Sequence, residues 1–335
     1  MPKKMFLVAV MSLSMLFMGA FLMPSSAEEH ITAYISPGCL AKELESVFEA
    51  DYGDVLTVVS GPWCRRMRAE MEAGDIKADV IYGAEPLLYM MLKDEGWLVP
   101  YNSPERAALK SKYKTKEIYF TLANERYTVI AYNKKMVKPS EIPTRWDDLT
   151  DPKWKGRVAI SDATLCATAF AITCGLVKLQ GWGFFERLKE NQAMLANNAV
   201  IVGQSIASAE ALVGFVPLDG ALRIIRKAEK QGIKSPLRIV WPEDGAISTP
   251  RPIAIIKDGQ RTKENTELAR KFVDFVLSKK GQKIATKYGF ITVRGDLPLP
   301  PDVPRKITSI IVDWKWAHKN KRQLRDRFES IMYGG

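Results

Sequence analysis

Residues 127–170, YTVIAYNKKMVKPSEIPTRWDDLTDPKWKGRVAISDATLCATAF, decide the fold. Thr128–Tyr132 reads as a short apolar strand ending on Asn133. A Pro- and charge-rich surface passage follows, then a second strand, Arg157–Ser161. Asp162 and Thr164 stand as cap-type residues opening a small-residue helix predicted over Thr164–Leu179. One lobe hands over to another, and the second begins with a strand feeding a helix N-terminus. Such an end offers unpaired N–H groups and a positive dipole to an anion. Nothing in the stretch signals catalysis.

Upstream, three strands alternate with three helices: His30–Ser36, Val55–Ser60 and Ala78–Tyr82 against Leu40–Tyr52, Arg65–Ala73 and the run carrying Leu87, Leu88, Met91 and Leu92. That alternation predicts a parallel sheet covered on both faces. Ligands of such sheets sit beyond the carboxyl ends of the strands, so the turns at Ser36–Cys39, Ser60–Arg65 and Gly83–Glu85 point to one edge. Downstream, the pattern predicts a helix over Phe184–Ala196, strands over Ala199–Val202, Leu212–Val216 and Leu237–Trp241, and an amphipathic helix over Ala221–Gln231. Ile253–Ile256 returns to the first lobe. The fold class is α/β: two α/β lobes joined by a two-crossing hinge, able to close on a ligand. The lobes are drawn as 28–129 with 254–295, and 130–253 with 296–335 including a C-terminal helical segment.

The chain has 335 residues, 47% apolar and 26% charged, enough for two cores. Lys3-Lys4, the apolar run Met5–Met23 and Pro24-Ser25-Ser26-Ala27 read as a secretory signal peptide cut after Ala27, in preference to a membrane anchor. Its removal lowers the net charge from +11 to +9, which favours anionic partners. Basic and acidic residues alternate without an aromatic-basic cluster, so no nucleic-acid partner is expected.

TRWDDLTDPKWKGRVAISDATLCATAF resembles the W-x-D-L-x-D-P-x-W-K-G-K-V passage of bacterial extracellular solute-binding proteins. ITAYISPG, ADVIYGAEP, EGWLVPYNSPE and the later Ser278-Lys279-Lys280-Gly281-Gln282 extend the resemblance over roughly residues 30–330. It implies the two-lobed periplasmic binding fold of type 2, periplasmic localisation, and delivery of a small solute to an ABC permease by a monomer without cofactor or catalysis. The subfamily includes ferric-ion, phosphonate and sugar-phosphate binders. Its ferric members hold iron with adjacent tyrosines after a second-lobe strand, often helped by a His and a Glu. Here that passage reads GFVPLD, Gly214–Asp219, without a Tyr pair; Cys39 stands about where the His would be, and Glu85 near the carboxylate's place.

The missing Tyr pair counts against iron without identifying another ligand. The helix N-terminus at Asp162–Thr164, with Gln204, Ser205 and Arg65, makes the preferred ligand a small anion: an organophosphate, phosphonate or carboxylate. The expected binding residues are Ser36, Cys39, Ser60, Trp63, Cys64, Arg65, Glu85, Asp162, Thr164, Gln204, Ser205 and Asp219, with Arg251 a weaker candidate. Arg65 would pair bidentately with the anion, Trp63 would stack on it or wall it off, and Gln204 and Ser205 are expected in a cleft loop. Thr164 and Ser205 also read as simple caps, and Arg65 as a solvated helix residue. The rival within the fold is a metal-ion binder using Cys39, Glu85 and Asp219; from another class, a secreted enzyme on the same scaffold; a sensor subunit is a third. No metal site is assigned. Exported proteins usually pair their cysteines, so Cys39 and Cys64, after neighbouring strands, are a plausible disulfide. Cys166 and Cys174 lie about 12 Å apart along one helix, too far to bridge.

Overall fold

The structure, a computed structural model, describes residues 29–36, 38–61, 63–257, 263–300 and 303–334. The predicted leader lies outside them. The chain runs β1 (Ile31–Ile35), α1 (Gly38–Tyr52), β2 (Leu56–Ser60), α2 (Trp63–Glu72), β3 (Val80–Tyr82), α3 (Pro86–Asp94) and β4 (Leu98–Val99), then crosses on the long β5 (Thr121–Asn133). The second half holds β6 (Val158–Ser161), α4 (Ala167–Gln180), α5 (Gly183–Glu190), β7 (Met194–Ala196), α6 (Ala199–Ala207), β8 (Val213–Pro217), α7 (Leu218–Lys230) and β9 (Leu237–Val240). β10 (Ala246–Ile256) returns, followed by α8 (Lys263–Leu277), α9 (Lys279–Lys287), β11 (Ile291–Thr292), β12 (Ser309–Ile311), α10 (Trp314–Lys319) and α11 (Lys321–Tyr333).

β5 and β10 pair antiparallel along the middle of the molecule. On the first-half side, β10 meets β3, which leads through β1 to the edge strand β2. On the second-half side, β5 meets β8, and β6 and β7 follow in parallel. The crossing strands are longer than the sequence pattern predicts. They carry polar and charged residues at buried positions, which hides their length from an apolar-run reading.

Each half buries both faces of its sheet. In β1, Ala33 and Ile35 face α1 and α8 through Leu40, Phe48 and Phe272, while Tyr34 faces Trp63, Met67 and Tyr89 on the other side. In β6, Val158 and Ile160 pack on Trp146, Phe184 and Phe328, while Ala159 meets Val202 and Val216. That period-2 alternation is the strand signature, and each fully buried large apolar side chain contributes roughly 1.5–3 kcal/mol.

The two strongest sequence signatures turn out to be scaffold. Trp146 is fully buried and donates its indole N–H to the Gly245 carbonyl at 2.8 Å. Asp148 accepts from the Thr144 and Arg145 amides at 2.8 and 2.9 Å. Gln282 donates to the Ala123 and Val276 carbonyls at 2.7 and 3.0 Å, tying β5 to the end of α8. These residues answer backbone hydrogen-bond demand in a dry interior.

Two predicted elements change. The helix expected over 184–196 is α5 followed by β7, and the strand expected over 199–202 is α6. Asn198 explains the second: its side chain accepts from the Val200 and Ile201 amides at 3.0 and 3.2 Å, an N-cap that overrides the β-branched run behind it.

Candidate functional site: the cleft where strand ends converge

Strand polarity places the site. β1, β2 and β3 run parallel to β5 and so point from the first half towards the second. β6, β7 and β8 run antiparallel to β5 and point back. All six carboxyl ends therefore face one another, and α1, α2, α3, α4, α6 and α7 each start there, presenting helix N-termini.

At the centre lies Arg251, 1% exposed, beside an irregularity in the β10 register and flanked by Pro250 and Pro252. Its Nη2 donates to the Ser36 carbonyl at 2.7 Å, and its guanidinium lies 5.3 Å from the Phe290 ring centroid. Its Nε is buried without a partner among the described residues. Burial, with the neighbouring charge of Arg126, pulls its pKa down to about 10. Gly83 makes this fit possible. Its φ is +101°, and a Cβ there would collide with the Arg251 guanidinium and stand 2.9 Å from the Ser36 carbonyl.

A polar chain links the halves around Arg251. Arg126, on β5, grips Asp219 through Nε–Oδ1 at 2.9 Å and Nη2–Oδ2 at 3.0 Å. Its Nη1 donates to Thr168 Oγ1 at 3.2 Å, and Thr168, in the first turn of α4, donates to Glu85 Oε1 at 3.0 Å. Glu85 belongs to the first half and Thr168 and Asp219 to the second, so the chain spans the cleft. Tyr82 and Asn124 meet beside it through hydroxyl and amide.

Several expected binding residues have other duties. Asp162 is 1% exposed and accepts from the Thr164 amide and hydroxyl, both at 2.7 Å, and from the Tyr333 hydroxyl. The Thr164 groups offered to an anion are thus spent locally, and α4 begins at Ala167 with Cys166 as its N-cap. Gln204 and Ser205 lie on α6, not in a loop, and Ser205 donates to Glu210 at 2.8 Å. Trp63 is 2% exposed and packs on Tyr34 in the core, so it walls nothing off. Arg65 is exposed, and the residues of α2 that line a cleft cavity are Cys64 and Arg68. Ser60 ends β2 on the surface, near Gly38; Ser36 contributes its carbonyl.

Cys64, Cys166 and Cys174 are free thiols, so the Cys39–Cys64 bridge is not formed; the Cys39 side chain is outside the described ones. Burial, then the Glu85 charge, pushes the Cys64 thiol up to about 12. Among the described residues no three His, Cys, Asp or Glu side chains gather as a metal site. Of the proposed metal set, Asp219 is held by Arg126 and Glu85 by Thr168. Also among them, no helix is long and apolar enough to cross a membrane.

Sequence reasoning missed Arg126, Thr168, Arg68, Lys321 and Arg325. The available signals were a charged residue inside a crossing strand and a basic pair four apart in the C-terminal helix.

Comparison with known proteins agrees with this fold. An uncharacterised Haemophilus influenzae protein is 26% identical over 278 residues, covering 79% of this chain and 78% of its own. The periplasmic binding protein AfuA from Actinobacillus pleuropneumoniae, solved with fructose-6-phosphate bound, superposes with a TM-score of 0.77 at 23% identity, covering 91% of this chain and 99% of that one. Iron-bound HitA from Pseudomonas aeruginosa gives 0.75 at 18% identity, over 90% and 99%. Residues 75–320 match the family described as bacterial extracellular solute-binding protein, and the chain belongs to that family.

Proposed function

We propose that this protein is the periplasmic solute-binding component of an ABC importer and that it captures a small anionic solute between its halves. Arg251 carries the reading. A guanidinium almost fully removed from water, with one N–H donor unpaired, sits against the Ser36 carbonyl and Gly83, just past the carboxyl ends of β1 and β3. Desolvating a cation is costly unless something compensates it, and a bound anion supplies the missing partner. Arg126 is already committed to Asp219, so the pair orders the site without competing for the ligand. Under this reading the lobes are 28–129 with 254–295 and 130–253 with 296–335. They close about β5 and β10, and the closed form is what the permease recognises. The mature chain follows removal of residues 1–27, and no catalytic step is assigned.

Native mass spectrometry of the mature protein, purified from an exported preparation, tests this. The expected result is an organic adduct released on denaturation and absent from an Arg251→Gln variant. An adduct of metal mass retained in that variant would reject the anion reading.

A further inference from the structure

Below the central cluster, α11 turns Lys321 and Arg325, four residues apart on one helix face, towards Arg68 of α2. The three basic side chains line a cavity of about 80 Å³ between the halves. None of them has an acidic partner among the described residues. Arg325 Nε is buried and unpaired, and its guanidinium lies 5.3 Å from the Phe170 ring centroid. Among the described residues, Glu85 is the one acid lining the cavity, and Cys64 lines it as a neutral thiol. Lys321, Arg322 and Arg325 also crowd the N-terminal turns of α11, the end where the helix dipole disfavours cations. Packing like charges into a cavity and against a dipole breaks a local rule of stability, and such breaks mark functional positions.

We propose that Arg68, Lys321 and Arg325 form an oxyanion subsite that takes the phosphate group of a small phosphate monoester. This deepens the anion-binding reading above and rests on it. The charge count selects the phosphate. Three cations against one carboxylate leave an excess of two, which a phosphate dianion neutralises and a monocarboxylate does not. Two of the cations come from the C-terminal helix and one from the first half, so an anion held there ties α11 across the cleft. Burial and mutual repulsion already hold the pKa values of Lys321 and Arg325 below their ordinary range, strain that a dianion would relieve.

Titration calorimetry of the full mature chain with inorganic phosphate, sulfate and acetate tests the assignment. Phosphate and sulfate should bind and acetate should bind far more weakly. Arg325→Gln and Arg68→Gln should each weaken phosphate by about tenfold, the loss of one charge-assisted hydrogen bond, while Arg325→Lys keeps most of the affinity. Without phosphate, Arg325→Gln should melt close to the parent, because the repulsion it relieves offsets the lost guanidinium–Phe170 contact. Should the α11 variant fail to fold, Arg68→Gln decides, since Arg68 is an exposed helix residue. Equal phosphate affinity in the parent and both Gln variants overturns the subsite. If Arg251→Gln abolishes binding in that case, the central anion site survives. Binding of acetate as tight as phosphate, or no binding of phosphate and sulfate, also overturns it.

Discussion

Arg126 and Asp219 have side chains only 11% and 8% exposed and meet through two nitrogen–oxygen contacts. A pair so far out of water is worth little against an apolar alternative, but breaking it leaves one uncompensated charge. Arg126→Gln is therefore expected to destabilise the protein by about 3 kcal/mol, and the further change Asp219→Asn should recover most of that. Urea unfolding of the two single variants and the double variant measures the coupling. Single-variant losses below about 1 kcal/mol would mean that water reaches Asp219 and that the pair is not the brace described here. This pair also shows where sequence reading stops at the residue scale. Asp219 was picked out only through the resemblance, as the end of the passage where the ferric members carry their tyrosines. Its partner is 93 residues upstream, on the crossing strand, and no local pattern joins them. Asp162 and Thr164 were legible as polar residues at a strand end, but a carboxylate two residues before a hydroxyl caps its own turn first.

Among the elements, strands flanked by Gly and helices with a clear apolar stripe could be read from the chain, and the α6 region could not. Ala199–Val202 is β-branched and apolar, yet a single side chain, Asn198, supplies the cap that makes it helical. The C-terminal α11 was visible only as a helical segment, although it seals the second half. Phe328 is fully buried against Phe185 at 5.5 Å between ring centroids, Lys189 Nζ reaches the Met332 carbonyl at 2.8 Å, and Arg327 pairs with Glu186 at 3.0 Å. Phe328→Ala should cost about 3–5 kcal/mol through lost burial and the cavity left behind. The same helix carries Lys321 and Arg325, so calorimetry on this variant should show weakened phosphate binding as well. A melting temperature within about 1 °C of the parent would show that α11 docks without this anchor.

Over the whole molecule, two α/β halves on two crossing strands followed from the alternation of periods along the chain. The register that aims six strand ends at one cleft did not, because register is set by long-range pairing. The overall charge of +11 acquires a location only in three dimensions. On one flank of the cleft, Arg223, Arg226, Lys227 and Lys230 of α7 face Lys287 of α9 across a groove of about 690 Å³ in which Asp219 also lies. Cations concentrated at a cleft mouth steer anions by a field that salt screens, with a screening length of about 10 Å at 0.1 M. Association of inorganic phosphate, followed by the stopped-flow change in tryptophan fluorescence, with Trp314 in the cavity wall, should therefore slow as ionic strength rises. Arg223→Gln combined with Lys227→Gln should lower the association rate severalfold in dilute buffer and leave dissociation unchanged, because exposed rim charges act on encounter more than on the bound state. The difference between parent and variant should vanish at about 1 M salt, where the screening length falls to about 3 Å. Should dissociation change instead, these residues touch the bound anion, and the groove belongs to the binding site rather than to its approach.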